Sequence, residues 1–476
     1  MKKIIHILQT TFEKELVFVV GGAVRDRYIK KETFDIDLVL KSNPLNFYEK
    51  LAKKVGGHGF VLDSDRKVIR ITVDGFQIDI SQAQGKNFEA DLDRRDFSIN
   101  ALSVPLSKWT SSRWKEFIVD RHSGLKDLQK KIIRQISSNI YVEDPLRLLR
   151  AFRFAGELGF QIDALTLNRI SKDKKLIKKS SPERVREEFL KMFSTEKSYS
   201  LFVLLEKTGL LSVIWPEANR LRACGHSYYG NQGVLKHTLD SLKLLEELFT
   251  KISSWFPKAA KKIKEHLNEH LSQFPRFAHL KWAIFMHDFG KPKTAQLIDG
   301  RLRFFEHEHV GADMVLKMAD RFRWSQEETN RYSKLVRNHM RPGNLATHSE
   351  ITDKAIHRFF KDLGDDGIGM LLVSLADHLS YLSPAQRRKR NSAHELATCL
   401  MVKKYYSQRE VIIPPKIITG YDIMKLLNIK PSPVIGQIMS DVTEAQSEGK
   451  IRNKNEGLQF IKNNSSKYLD MLTKLA

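Results

Sequence analysis

The stretch VFVVGGAVRDRYIKKETFDIDLVL, residues 17–40, decides how the chain is read. Its first four residues and the closing DIDLVL are apolar and β-branched, which predicts two strands bounded by glycine and turn residues. Gly21 and Gly22 let the backbone approach a phosphate closely. Arg25 offers a planar donor fork to phosphate oxygens. Asp35 and Asp37 stand two apart on a predicted strand, so their carboxylates share one face. They repel one another unless a cation lies between them, and oxygen ligands with room for substrate phosphates suit Mg²⁺. Two such ions would activate an attacking hydroxyl and stabilise a leaving pyrophosphate.

Working outward, VIRITVDGFQIDIS (68–81) alternates apolar and polar residues around Asp74-Gly75, a hairpin signal. Its second arm carries Asp79, a candidate third metal-facing carboxylate. DLDRRDFSINA (91–101) packs donors and acceptors densely. Asp96 and Asn100 are suited to a ribose hydroxyl, and Arg95 to a triphosphate. In EDPLRLLRAFRF (143–154) a helix would put Asp144 and Arg147 on one face, with Arg150 and Arg153 continuing the spacing. An Asp–Arg pair can read the edge of a cytosine or an adenine. From about Val142 onward apolar residues recur every three to four positions, and Pro182 followed by Glu183 fits a helix start. Strands and helices come first and helices alone afterwards, which predicts an α+β chain of separate domains.

The whole chain has 476 residues, 80 Lys+Arg against 56 Asp+Glu, and a net charge of +24. That excess points to a polyanionic partner, although a solvated lysine-rich surface has the same composition. Hydrophobic residues at 41% exclude disorder as the default state. Two distant cysteines, Cys224 and Cys399, exclude a disulfide-stapled fold and fit free thiols in a reducing compartment. The N-terminus lacks the apolar core of a secretory signal, and no stretch approaches a membrane span, so the expected location is cytoplasmic. The basic run QRRKRNS (386–392) is expected to be exposed, and VIIPPKIITG (411–420) to lead into a small terminal unit.

In one order the chain carries GGAVRD, DID, RRDFSINA, DRHSGLKDL (120–128), EDPLRLLRAFRFA and SPERVREEF (182–189). This ordered set resembles the class II tRNA nucleotidyltransferase and bacterial poly(A) polymerase family over about residues 17–190. The resemblance implies a polymerase-β-like nucleotidyltransferase head (1–137), an all-α neck that selects the nucleotide (138–200), a helical body (201–400) and a helical tail (401–476). It implies that Asp35 and Asp37 hold Mg²⁺, with Asp79 assisting. Gly22 and Arg25 would lie at the triphosphate, Arg95 near the phosphates, and Asp96 and Asn100 at the ribose. Asp144 and Arg147 would act as a protein template for CTP and ATP, helped by Arg150 and Arg153, while Glu183 and Arg184 would sit on a supporting helix. The implied partner is tRNA.

Two departures stand out. The family often reads Asp-Pro-aromatic where this chain has Asp120-Arg121-His122. Only SQAQGKNFEA (81–90) separates Asp79 from the next motif, and in the family a shortened loop there accompanies enzymes that add CC and stop. A poly(A) polymerase is a further alternative, but its Gly-Arg-Arg-Phe-like segment has no counterpart in GGHGFVLD (56–63).

The helical half contains HDFGK (287–291), which resembles the HD superfamily of metal-dependent phosphohydrolases. That resemblance implies a ligand set of His237, His287, Asp288, His307, His339 and Asp377, with His309 as a second candidate beside His307. Mg, Mn, Ni or Fe is the implied occupant. A phosphohydrolase acting on RNA ends or nucleotides is therefore the alternative of another class, and a basic RNA-binding scaffold a third.

Overall fold

The computed structural model describes residues 2–65, 67–83, 88–348 and 350–473. The chain forms two compact units, residues 1–192 with 200–215, and residues 193–199 with 216–476.

The first unit is built on a seven-stranded sheet. Its strands are β1 (Val17–Val20), β2 (Asp35–Leu40), β3 (His58–Asp63), β4 (Val68–Val73), β5 (Phe76–Gln82), β6 (Leu102–Pro105) and β7 (Val119–Asp120), in the order β3-β4-β5-β2-β1-β6-β7. All neighbours are antiparallel except β2 and β5, which run parallel. β4 follows the alternation its sequence predicts: Ile69, Ile71 and Val73 are buried and the residues between them are not. Asp74 and Gly75 both have positive φ, 47° and 78°, the conformation of a two-residue turn whose twist matches the strands.

The glycine turn after β1 leads into the helix Gly22–Tyr28. Helix Arg147–Leu158 buries Leu148, Leu149, Ala151, Phe152, Phe154 and Ala155 and ends at Gly159 in the left-handed conformation. Pro182 opens the helix Pro182–Ser194, where its missing N–H costs nothing.

The second unit is helical. Its centre is the helix Arg276–Met286, buried at every position, which leads directly into His287. Its polar residues are paired there: Arg276 with Asp366 at 3.2 Å, Lys281 with Glu246 at 2.9 Å, and His279 with the Tyr332 hydroxyl at 2.7 Å. Helices Gly233–Thr250, His307–Phe322, Gln326–Asn338 and Gly367–Ser380 supply the other walls. The last helices, from Gly420 to Thr473, close around Ile423, Val434, Ile438, Val442, Ile461 and Tyr468. Both cysteines are free. Among the described residues no helix is long and apolar enough to cross a membrane.

Candidate active site and metal centre

The register of the sheet brings the first set of residues together. Asp37 lies opposite Val20 of β1 on one side and Asp79 of β5 on the other. A cavity of about 670 Å³ opens over these strands. It is lined by Gly21, Gly22, Arg25, Asp35, Asp37, Asp79, Arg95, Asp96, Asn100, Asp144, Arg147, Arg150 and Arg153, together with Arg70, Arg94 and Phe154. Every residue predicted for nucleotide binding is thus in one cleft, although they do not all face it in the same way.

The carboxylates carry the electrostatic tension expected of them. Loss of water around Asp37, with repulsion from Asp79 and Asp35 only partly offset by Arg95, pushes its carboxyl up to about 6. Asp35 is raised for the same reasons, burial first and Asp79 next. Asp79 does not stand free as a third metal ligand. Arg70, directly opposite on β4, holds both its oxygens at 2.7 Å. The head therefore contributes no ready-gathered metal-ligand group among the described residues.

The glycine turn corrects an emphasis of the sequence reading, which favoured Gly22. Gly21 is the constrained residue. It has φ +69°, and a Cβ there would lie 2.7 Å from Arg95 Nη1. A Cβ on Gly22 would meet nothing closer than 3.5 Å.

Behind the turn runs a buried chain of hydrogen bonds. Arg25 donates to both oxygens of Asp26, at 2.7 and 3.0 Å, and to Asn100 Oδ1 at 2.7 Å. Asn100 donates to Asp96 Oδ1 at 3.0 Å, and Arg150 donates to Asp96 Oδ2 at 2.9 Å. Burial alone would raise Asp96, but Arg150, Asn100 and Arg147 outweigh it and hold the carboxyl at about 2. The fork of Arg25 is turned to Asp26 and Asn100 rather than opened to the cavity. Arg153 is likewise engaged, with Glu188 at 2.8 Å and Glu157 at 3.0 Å. Arg25, Arg150 and Arg153 all lie within 5.2 Å of the Phe154 ring centre, a shared stacking surface the sequence reading did not single out.

Asp144 and Arg147 are not on one helix face. Asp144 is extended and precedes the helix, which begins at Arg147. The proline between them accounts for this, because the residue before proline is driven away from helical geometry. Asp144 pairs instead with Arg184, at 2.8 Å and 3.3 Å, which holds it below the usual carboxylate range against its burial. Arg147 donates to the Arg94 carbonyl at 2.6 Å and to Glu143 at 3.4 Å. The supporting helix of the sequence reading thus reaches the site directly through Arg184. At the departing motif, Asp120 accepts from the N–H groups of Gly124 and Leu125, while Arg121 and His122 both pair with Asp93. The short connection after Asp79 includes residues 84–87, which lie outside the described residues.

The second set also converges. His237, His287, Asp288, His307, His339 and Asp377 form three overlapping groups whose ligand atoms lie within 4.8 Å of one another. His309 does not join them; it is exposed and contacts Arg337. The orientation of the rings is decisive. His287, His307 and His339 each place Nδ1 on a backbone carbonyl, that of Ile284, Phe304 and Val336, at 2.6, 2.7 and 2.7 Å. Those Nδ1–H donations leave Nε2 of each ring as the atom that faces inward, available to a metal once it carries no proton. His307 Nε2 and His339 Nε2 face each other at 3.1 Å. The two carboxylates lie among these rings: Asp288 Oδ2 is 2.6 Å from Lys291 Nζ, and His237 Nε2 is 3.0 Å from both Asp288 Oδ2 and Asp377 Oδ1. Such a set of inward acceptors fits one or two divalent cations. Gly290 of HDFGK permits the geometry, since a Cβ there would lie 2.0 Å from the His307 carbonyl oxygen.

Three family models match along the chain: a poly(A) polymerase head domain over residues 17–134, a probable RNA- and SrmB-binding site of polymerase A over 159–221, and an HD domain over 234–382. Nucleotidyltransferase and HD domains of these kinds use divalent metals. The chain is 28% identical over 450 residues to an A-adding tRNA nucleotidyltransferase of Deinococcus radiodurans, covering 93% of this chain and 94% of the relative. It is 27% identical over 452 residues to a CC-adding tRNA nucleotidyltransferase of Thermus thermophilus, covering 93% and 92%. Its fold resembles a CCA-adding enzyme in its apo form I (TM-score 0.63, 18% identity, 97% and 93% covered). It also resembles a Thermotoga maritima CCA-adding enzyme complexed with tRNA (TM-score 0.61, 19% identity, 97% and 94% covered). Three successive domain matches and relatives matched end to end make this chain a member of the class II tRNA nucleotidyltransferase and bacterial poly(A) polymerase family with an HD domain.

Proposed function

We propose that the protein adds CCA, or part of it, to the 3′ end of tRNA from CTP and ATP. The observation that carries this reading is the single cavity in which two strand carboxylates under mutual repulsion face a buried arginine–amide–carboxylate network. The 3′-hydroxyl oxygen of the RNA attacks the α-phosphorus, the bond to the bridging oxygen breaks, and pyrophosphate leaves. Asp35 and Asp37 would hold Mg²⁺, which supplies charge neutralisation at the reacting phosphate. Arg95 sits between the glycine turn and Asp37, where triphosphate oxygens would meet it. Asp96 and Asn100 orient the ribose, and the Asp144–Arg184 pair with Arg147 presents the donors and acceptors that read the base. The rest is positioning. The net charge of +24 suits a grip on RNA phosphates by shape. Head, neck, HD body and tail, with the bounds 1–137, 138–200, 201–400 and 401–476, remain the proposed division, and the cytoplasm the proposed location.

The test uses three tRNA transcripts, ending before CCA, after C and after CC, each incubated with Mg²⁺ and CTP, ATP or both. Completion of CCA on all three identifies a full CCA enzyme. A stop after CC identifies a CC-adding specialist with a separate A-adding partner, and long adenylate tails a poly(A) polymerase. No incorporation on any of them overturns the reading.

The HD cluster supports a second activity, a phosphohydrolase on RNA ends or nucleotides. The convergence of His237, His287, His307 and His339 on the buried Asp288 and Asp377 carboxylates is the observation that favours it. Mn, Ni, Fe or Mg would fill the site. Metal-dependent ring opening of a nucleoside 2′,3′-cyclic phosphate to a monoester, or phosphate release from a 3′-monophosphate, tests it.

A further inference from the structure

The carboxylate face of the seven-stranded sheet continues past Asp79. Asp37 pairs with Asp79 on β5, Asp79 with Arg70 on β4, and Arg70 with Phe60 on β3. Directly paired residues share one face of a sheet, so these four side chains form a row across four strands. The opposite face is packed by the helix Tyr48–Val55: a Cβ on Gly59 would meet Ala52 and Ile71 there, at 3.0 and 3.6 Å. Phe60, the next residue along β3, therefore stands on the carboxylate face. β3 is the edge of the sheet, and the Phe60 ring is exposed there.

Arg70 is held by one edge only. Its Nε and Nη2 donate to the two oxygens of Asp79 at 2.7 Å, which uses two of the five N–H groups of a guanidinium. Nη1 is left free of Asp79, in a side chain that is 30% exposed and lines the cavity.

The chemistry of phosphoryl transfer decides which side of the carboxylates each reactant occupies. Attacking and leaving oxygens lie roughly in line through the phosphorus. The glycine turn and Arg95 stand on the β1 side of Asp37, so pyrophosphate leaves toward them. The attacking 3′-hydroxyl then enters from the other side, over β5 and β4. The nucleotide that carries it brings a phosphodiester and, behind that, another base. Arg70 stands one strand beyond Asp79, where the phosphodiester would lie. Phe60 stands one strand further, about 14 Å from Asp37 by three strand spacings. Arginine forks suit phosphate oxygens, and an exposed aromatic ring stacks on any unpaired base.

We propose that Arg70 and Phe60 form the track of the RNA acceptor end: Arg70 binds the phosphodiester 5′ to the terminal nucleotide, and Phe60 stacks on the base before it. Both bind substrate without touching the reacting atoms. The proposal rests on the reading of the first unit as a nucleotidyltransferase that extends RNA ends.

The test uses full-length protein and whichever of the three tRNA transcripts the wild type extends. KM for the RNA is measured at saturating nucleotide, and KM for the nucleotide at saturating RNA. Phe60→Ala should raise KM for the RNA about five- to a hundredfold, the loss of one stacked base, and Phe60→Trp should restore it. Arg70→Gln should raise it about tenfold and lower the salt slope of RNA binding by about one phosphate contact. Neither variant should change KM for the nucleotide. Val61→Ala, on the same strand but the opposite face, should leave both constants as they were. An unchanged KM for the RNA in either Phe60→Ala or Arg70→Gln overturns the track and leaves the transferase standing. A rise in KM for the nucleotide alone overturns it too, by placing these residues on the nucleotide's side. No incorporation by the wild type on any transcript overturns the transferase reading and the track with it.

Discussion

Replacing Asp37 by asparagine should stabilise the metal-free protein while abolishing nucleotide addition. The Asp37 carboxyl is raised from its ordinary 3.8 to about 6, by loss of water and by Asp79 and Asp35 against the pull of Arg95. At about 1.36 kcal/mol per pH unit, the charged form costs the folded head roughly 3 kcal/mol. The carboxylate keeps a partly exposed edge toward the cavity, and solvent screening there makes that figure a ceiling. The sign follows from the direction of the shift. The folded state binds the proton more tightly, so no penalty exists below about pH 4, and the full penalty is present above about pH 6. The wild type should therefore lose stability relative to Asp37→Asn as pH rises through that window. The assay is thermal and urea unfolding in EDTA at pH 4 and pH 8, following the transition that Mg²⁺ with CTP shifts in the wild type. The variant should be more stable by about 1–3 kcal/mol at pH 8 and indistinguishable at pH 4. Mg²⁺ should raise the wild-type transition and not the variant's. A variant no more stable than wild type at pH 8, or a gain independent of pH, would refute the argument that repulsion between these carboxylates is what the metal relieves.

Gly21→Ala should lower nucleotide addition by two orders of magnitude or more, because a Cβ there meets Arg95 at 2.7 Å in a left-handed backbone, whereas Gly22→Ala should cost less than tenfold; equal losses would remove the special role of Gly21. Arg184→Ala should relax discrimination among CTP, ATP, GTP and UTP, since it releases Asp144, and a uniform loss across all four nucleotides would show that the pair reads no base edge. Metal uptake by the HD cluster should release about one proton at pH 8 and tighten as pH rises: burial opposes a charge on His287, but Asp288 and Asp377 prevail and lift it to about 10, so the metal must displace that proton. Calorimetry in buffers of different ionisation enthalpy reads it directly, and a buffer-independent heat would contradict the assignment. Gly290→Ala should abolish Mn²⁺ binding at the HD cluster, measured as metal per protein after dialysis, because the His307 carbonyl occupies the space a methyl group needs.

The elements that could be read from the sequence alone are those set by local rules. Alternation in VIRITV and the two positive-φ residues Asp74 and Gly75 specify a hairpin wherever it lies. The DID spacing puts two carboxylates on one face of any strand, and the i, i+3, i+4 periodicity after Val142 specifies buried helix faces. The ordered motifs also sufficed to gather the HD ligands and the head residues into two lists. What no local rule supplies is the partner of each side chain. Pro145 ended one helix turn and started another, so Asp144 found Arg184, forty residues away, in place of Arg147. The parallel pairing of β2 with β5 placed Asp79 beside Asp37, and the antiparallel pairing with β4 gave it to Arg70. Arg25 looks from sequence like a phosphate ligand and Arg153 like a helper in base selection, and only packing turned their forks to Asn100 and Glu188. Phe60 belongs to no motif, and its place in one row with Arg70, Asp79 and Asp37 exists only once the sheet has formed. The sequence determined which residues carry the chemistry, because periodicity and residue type are local properties. Tertiary structure alone decided which of them remain open to substrate, because a buried donor or acceptor must find a partner, and that partner is chosen by proximity in space.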